Sequence, residues 1–241
     1  MGMTGFWSTV SLLGVGLVFG LKHALDADHL AAVSTIVSER QSVRSASLIG
    51  AVWGIGHTIS LLAAGIAVIV LHVEIGARTA QMLELGVAIM LIGLGANTLR
   101  KLVRGARVHV HVHQHGQRAH IHVHVHDGSP EPSPHTHHGF RIGARPLIIG
   151  MVHGLAGSAA LMLLVLTTIP SPLLGFAYVL VFGLGSIGGM LFMSALVSLP
   201  AHLTANHFAR ANVAVRAVTG VFSLGLGAFM VYQIGVAGLF L

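Results

Sequence analysis

Residues 12–37 read LLGVGLVFGLKHALDADHLAAVSTIV, an apolar segment that contains His23, Asp26, Asp28 and His29. Ionisable groups at membrane depth are costly, and they usually mark an ion or proton pathway. Imidazole and carboxylate groups are also ligands of divalent transition metals. The segment therefore predicts a membrane helix that carries an ion site, provided that the rest of the chain has the composition of a membrane protein.

The composition is that of a membrane protein. Of 241 residues, 54% are hydrophobic and 8% are charged, whereas soluble domains carry about 25% charged residues. A membrane-spanning helix needs roughly 20 mainly apolar residues, and the candidate spans are 6–37, 46–71, 82–99, 147–169, 173–199 and 213–241. We expect an all-α, multi-pass membrane protein with six transmembrane helices, the first of them long enough to tilt or break.

The distribution of arginine and lysine predicts the orientation in the membrane. Basic residues occupy the first, third and fifth connections: Arg40, Arg44, Arg100, Lys101, Arg104, Arg107, Arg118, Arg141, Arg145, Arg210 and Arg216. The second connection holds Arg78 with Glu74, and the fourth holds no charge. Because cytoplasmic loops carry the excess of Lys and Arg, we expect an N-out and C-out protein of the plasma (inner) membrane. The net charge of +6 follows this topology, so the expected partner is the lipid bilayer and no nucleic acid.

The two halves of the chain resemble each other. Three pairs of segments match at nearly one offset: 20–25 with 150–155, 53–56 with 182–185, and 93–96 with 225–228. Because each half has three spans, the second copy enters the membrane from the opposite side, and such inverted repeats are typical of transporters. The alternative is that the glycines serve only close helix packing. We expect a 3+3 inverted repeat, with one repeat in 1–105, a cytoplasmic loop in 106–146 and the second repeat in 147–241.

The ionisable groups of the first span have the spacing of a metal site. On a regular helix, His23, Asp26 and His29 fall within an arc of about 120°, whereas Asp28 points elsewhere. Two imidazoles and a carboxylate suit Ni²⁺, Co²⁺ or Zn²⁺, and the chain has no cysteine that could supply a thiolate. In the alternative interpretation, the aspartates pair with Lys22 and the histidines, and the groups only neutralise one another.

Two further histidines extend this candidate site. His57 lies about 11 residues into the second span, which is about 16 Å deep in a roughly 30 Å core. It is the leading fourth metal ligand, unless it bonds a backbone carbonyl. His153 is the repeat counterpart of His23, and no acid follows Glu131. The second half can therefore offer only imidazole, hydroxyl groups such as Ser158 and backbone groups to a pathway, and His153 is either a pathway residue or a packed histidine.

The same residues resemble the signatures of the nickel/cobalt permeases. The defining element of that family, His-x4-Asp-His, maps onto His23, Asp28 and His29. Residues 56–58, Gly-His-Thr, resemble the second signature, and residues 153–161 resemble the shorter six-span, UreH-like branch of urease-accessory membrane proteins. The resemblance covers most of the membrane part, and it implies a transported Ni²⁺ or Co²⁺ ion with no other cofactor.

The resemblance and the helix geometry favour different aspartates. The permease motif selects Asp28, whereas the position on a regular helix favours Asp26, and a kink at the motif would turn both inward. The longer permeases have eight spans and further acidic motifs, which this sequence lacks. Import or export, and the choice among Ni²⁺, Co²⁺ and Zn²⁺, therefore stay open.

A histidine-rich segment separates the two halves. Its histidines are His109, His111, His113, His115, His120, His122, His124, His126, His135, His137 and His138. The first eight alternate with other residues in two tracts, and period-two spacing would place each tract on one side of an extended strand, so that the tracts could pair. Such composition is typical of metal binding, and the alternative is a disordered linker. A cytoplasmic loop of this kind would buffer, collect or sense metal.

These observations favour a secondary transporter for Ni²⁺ or Co²⁺ that works by alternating access. The sequence has no Gly-x4-Gly-Lys-Ser/Thr motif for nucleotide binding and no His-Glu-x-x-His motif of a metalloenzyme, so we expect no enzyme. The main alternative is a non-transporting accessory or sensor protein, whose loop delivers nickel to the maturation proteins of urease or hydrogenase.

Overall fold

The computed structural model describes residues 3–38, 42–71, 73, 76–104, 108–115, 118–125, 143–155, 168–169, 171–205 and 209–239. Within these ranges the chain forms seven helices and one two-stranded hairpin. The helices are α1 (Met3–His23), α2 (Ala27–Val37), α3 (Val43–Leu71), α4 (Ala77–Val103), α5 (Arg145–Gly154), α6 (Pro172–Ala205) and α7 (Ala209–Leu239). The hairpin lies between α4 and α5 in the sequence.

Four of these helices are long and apolar enough to cross a membrane. They are α3, α4, the Pro172–Pro200 part of α6 and the Arg210–Val236 part of α7. α1 and α2 form a further candidate if the bent pair is one span. The prediction of a helical membrane protein is confirmed. Of the expected fourth span, α5 covers the beginning, and residues 156–167 lie outside the described residues, so the number of six spans stays a prediction.

The helix expected for the first span is interrupted at the histidine and aspartate residues of segment 23–29. α1 ends at His23, α2 begins after Asp26, and the two helices are bent by 54°. Asp26 has an extended backbone (φ −60°, ψ 145°), and its carbonyl accepts the N–H of Leu30 at 3.0 Å. Aspartate is a preferred residue at such a helix start, and Asp28 adds a negative charge to the first turn, where the helix dipole favours it. The expected kink is therefore present, but it turns the two aspartates inward to different degrees, since the Asp26 side chain is 51% exposed and that of Asp28 is 30% exposed.

Two glycines allow the C-terminal turns of α1 and α5 to pack closely against α6 and α3. α1 packs against α6, and α5 packs against α3. A Cβ atom at Gly20 would overlap the backbone carbonyl of Phe182, and one at Gly150 would overlap that of Trp53. Small residues permit this close approach between membrane helices. The contacts hold the last turns of α1 and α5 against the middle of α6 and α3.

Hydroxyl groups join the long helices to one another. The Ser186 hydroxyl on α6 donates to the Gly20 carbonyl on α1 at 3.3 Å, and the Ser223 hydroxyl on α7 donates to the Leu91 carbonyl on α4 at 2.9 Å. Such bonds contribute to helix association in membranes, where apolar burial is not a driving force. α2 lies among these helices, in contact with α3, α4, α6 and α7, and His29 is on its buried side.

The two histidine tracts form an antiparallel hairpin of β1 (Val108–His115) and β2 (Arg118–Val125). In the register of the hairpin, histidine stands opposite histidine at three positions: His109 with His124, His111 with His122, and His113 with His120. The expectation that the tracts pair as extended strands is confirmed. The described chain is thus helical apart from this hairpin.

Candidate metal centre

Four imidazole rings meet where α1, α2, α3 and α5 converge. His23 is the last residue of α1, His29 lies in the first turn of α2, His57 lies in the middle of α3, and His153 is near the end of α5. The ring centroids are 4.1 Å apart for His29 and His153, 4.3 Å for His23 and His29, and 5.0 Å for His23 and His57. Residues more than 120 positions apart in the sequence therefore form one imidazole cluster.

All four rings are shielded from solvent. His29, His57 and His153 are at most 1% exposed, and His23 is 7% exposed. Burying a polar group without a partner is costly, so four buried imidazoles in one place require an explanation from their bonding.

Two aspartates hold three of the rings. The Asp28 carboxylate contacts His29 Nδ1 at 3.1 Å and His153 Nε2 at 3.0 Å, and the Asp26 carboxylate contacts His23 Nδ1 at 2.7 Å. An ionised carboxylate only accepts hydrogen bonds, so the imidazole N–H groups donate. In a neutral ring the opposite nitrogen then carries a lone pair. The aspartates therefore fix which nitrogen of each ring is free to bind a ligand.

The free nitrogens have no hydrogen-bond partner among the described residues. They are His23 Nε2, His29 Nε2, His153 Nδ1 and both ring nitrogens of His57. A buried polar atom left without a partner costs about 1–3 kcal/mol, and in native proteins such atoms usually have a ligand, an ion or a water as partner. Among the described residues, no backbone carbonyl accepts a hydrogen bond from His57, which does not favour the alternative in which this ring bonds the backbone.

The cluster offers two overlapping sets of ligand atoms. Ligand atoms of His23, His29 and His57 lie within 4.8 Å of one another, and so do those of Asp28, His29 and His153. Atoms bonded to one ion at about 2.1 Å are at most about 4.2 Å apart, so small side-chain movements would close either set around an ion. Both sets use His29.

The whole chain has a known relative. It is 36% identical over 237 residues to the urease accessory protein UreH of Bacillus sp. (strain TB-90), and the match covers 96% of this chain and 95% of that protein. This chain belongs to the UreH-like branch of the nickel/cobalt transporter superfamily. No family model matches this UreH-like chain, and no solved structure matches it.

In the UreH-like chain, the residues predicted for the site are brought together. His23, His29 and His57 form one set of possible ligands, and the repeat counterpart His153 joins them through Asp28. Among the described residues, no ion pair joins Lys22 to either aspartate, whereas the pairing of aspartates with histidines that the alternative interpretation also expected is present. Ser158, His126, His135, His137 and His138 lie outside the described residues.

The sequence interpretation missed two aromatic residues at the site. Trp53 lies 5.3 Å from His29 and 5.6 Å from His153 between ring centroids, and Phe182 lies 5.7 Å from the His23 ring. Trp53 and Phe182 are the first residues of the matching segments 53–56 and 182–185. Their equivalent positions in the two repeats could therefore have indicated that both lie at the site. Each aromatic ring packs on a histidine of the other half, and it limits the access of water to that ring.

Proposed function

We propose that this protein is a secondary transporter that moves Ni²⁺ or Co²⁺ across the membrane through the imidazole cluster. The observation that carries the proposal is the set of buried imidazole nitrogens without partners, contributed by helices from both halves of the chain. Imidazole is a good ligand for Ni²⁺, Co²⁺ and Zn²⁺. Membership in the nickel/cobalt transporter superfamily supports nickel or cobalt as the transported substrate.

In the proposed site, nitrogen atoms bind the ion and the aspartates orient the rings. His23 Nε2, His29 Nε2 and a ring nitrogen of His57 bind the metal directly. Asp26 and Asp28 contact the ligand rings and do not bind the ion themselves, since their oxygens already accept hydrogen bonds from imidazole N–H groups. Carboxylates in this role fix the tautomer of a ligand and increase its basicity. Asp28 also lies within 4.8 Å of ligand atoms of His29 and His153, which is the spacing expected of a carboxylate that holds both rings by hydrogen bonds.

The proposed mechanism is alternating access between two inverted repeats, 1–105 and 147–241, joined by the loop 106–146. Repeat-related packing supports this arrangement. Gly20 of α1 packs on Phe182 of α6, and Gly150 of α5 packs on Trp53 of α3 in the same way. The metal cluster lies where these helix pairs meet, which is where transporters with inverted repeats hold their substrate. Six spans, N-out and C-out, follow from the same proposal.

The histidine hairpin is proposed as an auxiliary metal store on the cytoplasmic side. Directly opposite residues in an antiparallel pair have Cβ atoms about 4.5–5.5 Å apart. The backbone register of the hairpin places histidine opposite histidine at three positions, so histidines of the two strands are neighbours in the sheet. Its histidines would buffer the metal that enters or collect the metal that leaves.

The test is the flux of radioactive nickel into proteoliposomes that contain only this protein. We expect His57→Ala and His29→Ala to abolish flux, because each removes a ligand of the proposed site. His202→Ala on α6 is the matched control, since His202 lies outside the cluster, and it should transport normally. Running the assay in both orientations with Ni²⁺, Co²⁺ and Zn²⁺ in competition identifies direction and substrate.

The second candidate function is a nickel accessory or sensor protein without transport activity, acting with urease or hydrogenase maturation proteins. The name of the relative, a urease accessory protein, and the histidine hairpin favour it. Nickel that binds to purified protein, with no flux above empty liposomes, would establish this function and contradict the transporter proposal. Flux that His57→Ala abolishes would exclude it.

A further inference from the structure

Apart from the imidazole cluster, the structure has a polar cavity between the ends of α2 and α4 and the beginning of α5. Its volume is about 150 Å³, and its lining includes Thr35, Asn97, Thr98 and Arg145. None of the clustered histidines lines it. The cavity is therefore separate from the proposed metal site, and its chemistry has to be explained by itself.

Thr98 presents a hydrogen-bond donor that the fold does not use. The residue is 2% exposed and lines the cavity. Thr35, which lines the same cavity, donates its hydroxyl to the Ala32 carbonyl at 2.8 Å, as a helical threonine usually does. No hydrogen bond of Thr98 occurs to any described residue, and the same holds for the neighbouring amide of Asn97. The Thr98 hydroxyl, on a side chain that is 2% exposed, and the half-buried Asn97 amide are therefore available to a ligand in the cavity that accepts hydrogen bonds.

Arg145 and the beginning of α5 add positive charge to the same cavity. Among the described residues, Arg145 forms no ion pair, and no carboxylate lines the cavity. α5 begins at Arg145, and its N-cap residue Ala144 provides no side-chain acceptor for the first amides of the helix. The N-terminus of a helix carries partial positive charge and favours anions. The exposed Arg145 is thus the one charged group among the residues that line this cavity, and the Thr98 hydroxyl and the Asn97 amide can both donate hydrogen bonds beside it.

We propose that this cavity binds a phosphate group. The guanidinium of Arg145 can hold two phosphate oxygens, and the Thr98 hydroxyl and the Asn97 amide can donate to the others. Asn97 and Thr98 lie on the last turns of α4, which also carry Arg100 and Lys101. Such basic helix ends meet the headgroup layer. The phosphate is therefore supplied either by a phospholipid headgroup or by free phosphate, and both present the same oxygens.

The test uses the full-length, metal-free protein in a phosphate-free maltoside detergent. Inorganic phosphate and, separately, phosphatidylglycerol are added, and the midpoint of thermal unfolding is measured for each. Ligands that bind only the folded protein raise this midpoint. Stabilisation by inorganic phosphate alone identifies a free anion as the ligand, whereas stabilisation by phosphatidylglycerol alone identifies a lipid headgroup.

Four variants locate the effect. Arg145→Gln and Thr98→Val should each weaken the binding of the effective ligand about tenfold or more, because each removes a donor to a charged group. Arg100→Gln, an exposed arginine outside the cavity, should bind normally. Thr98→Ser keeps the hydroxyl and should restore binding even if Thr98→Val folds poorly. No stabilisation by either ligand, or equal stabilisation of all variants, would overturn the proposal.

Discussion

Asp28 accepts hydrogen bonds from two imidazoles, one in its own helix and one in α5. A single carboxylate thereby fixes the tautomers of His29 and His153 and joins the two halves of the chain at the imidazole cluster. Residues of this kind act on metal affinity through the ligands they hold. Their replacement should weaken metal binding less than the loss of a ligand does.

Asp28→Asn tests this role. The asparagine keeps one acceptor oxygen, but its NH₂ group faces an imidazole N–H that also donates, so one of the two rings loses its orientation. We expect nickel affinity to fall about 10- to 100-fold, and to fall further in His29→Ala. Titration calorimetry of a protein without residues 108–139 measures the site alone.

Glu84→Gln is the control for Asp28→Asn, because Glu84 is an acid on α4 away from the cluster. The Glu84→Gln variant should bind nickel with the same affinity as the unsubstituted protein. If Asp28→Asn lost as much affinity as His29→Ala, the carboxylate would be a direct ligand, as the permease motif suggests.

At the scale of single elements, the sequence indicated the long apolar helices and left room for a break in the first one, but it did not show which aspartate each imidazole would contact. Asp26 lies on one face with His23 and His29 only if the helix is regular. In the structure, the helix stops at His23 and restarts after Asp26, so that Asp26 and Asp28 both reach imidazoles. Hydropathy cannot reveal this, because a helix and a broken helix have the same composition.

The contact of α1 with α6 is testable at Gly20. In Gly20→Val the new side chain would overlap the carbonyl of Phe182, and overpacking of this kind costs about 1–3 kcal/mol. We expect a lower unfolding temperature in detergent and reduced nickel flux, since His23 follows on the next turn. Gly14→Val is the control, because no atom lies within 4 Å of a Cβ at Gly14. Equal effects of both substitutions would contradict the assigned contact.

The histidine hairpin is testable as a separate element. If it is an auxiliary store, removal of residues 108–139 should lower the number of nickel ions bound per protein and leave the flux at low nickel concentration intact. Equilibrium dialysis gives the first quantity, and the proteoliposome assay gives the second. A complete loss of flux, in protein that still unfolds at the normal temperature, would place the hairpin in the transport pathway.

At the scale of the whole molecule, the matching segments predicted more than the composition did. Composition indicates a membrane protein, but only the repeat pointed to His153 as a counterpart of His23, and to the segments that contain Trp53 and Phe182. The sequence could not show that Asp28 bridges to His153, because that contact depends on how α5 packs against α2 and α3. The second half has no acid of its own to contact His153, and Asp28 of the first half supplies that contact.

The orientation of the protein in the membrane can be tested by cysteine labelling. The chain has no cysteine, so a single introduced cysteine is the only thiol that a reagent can label. Ser42 and Ser171 are both exposed, and each hydroxyl accepts a backbone N–H at a helix start, from Ser45 at 3.3 Å and from Leu174 at 3.5 Å. In an inverted repeat with N-out and C-out topology, these related positions lie on opposite sides of the membrane. A membrane-impermeant maleimide should therefore label Ser171→Cys in intact cells, and Ser42→Cys only after permeabilisation. If both cysteines were labelled in intact cells, the two positions would lie on the same side of the membrane, which would contradict the inverted repeat. If only Ser42→Cys were labelled in intact cells, the repeat would be kept and both termini would lie inside.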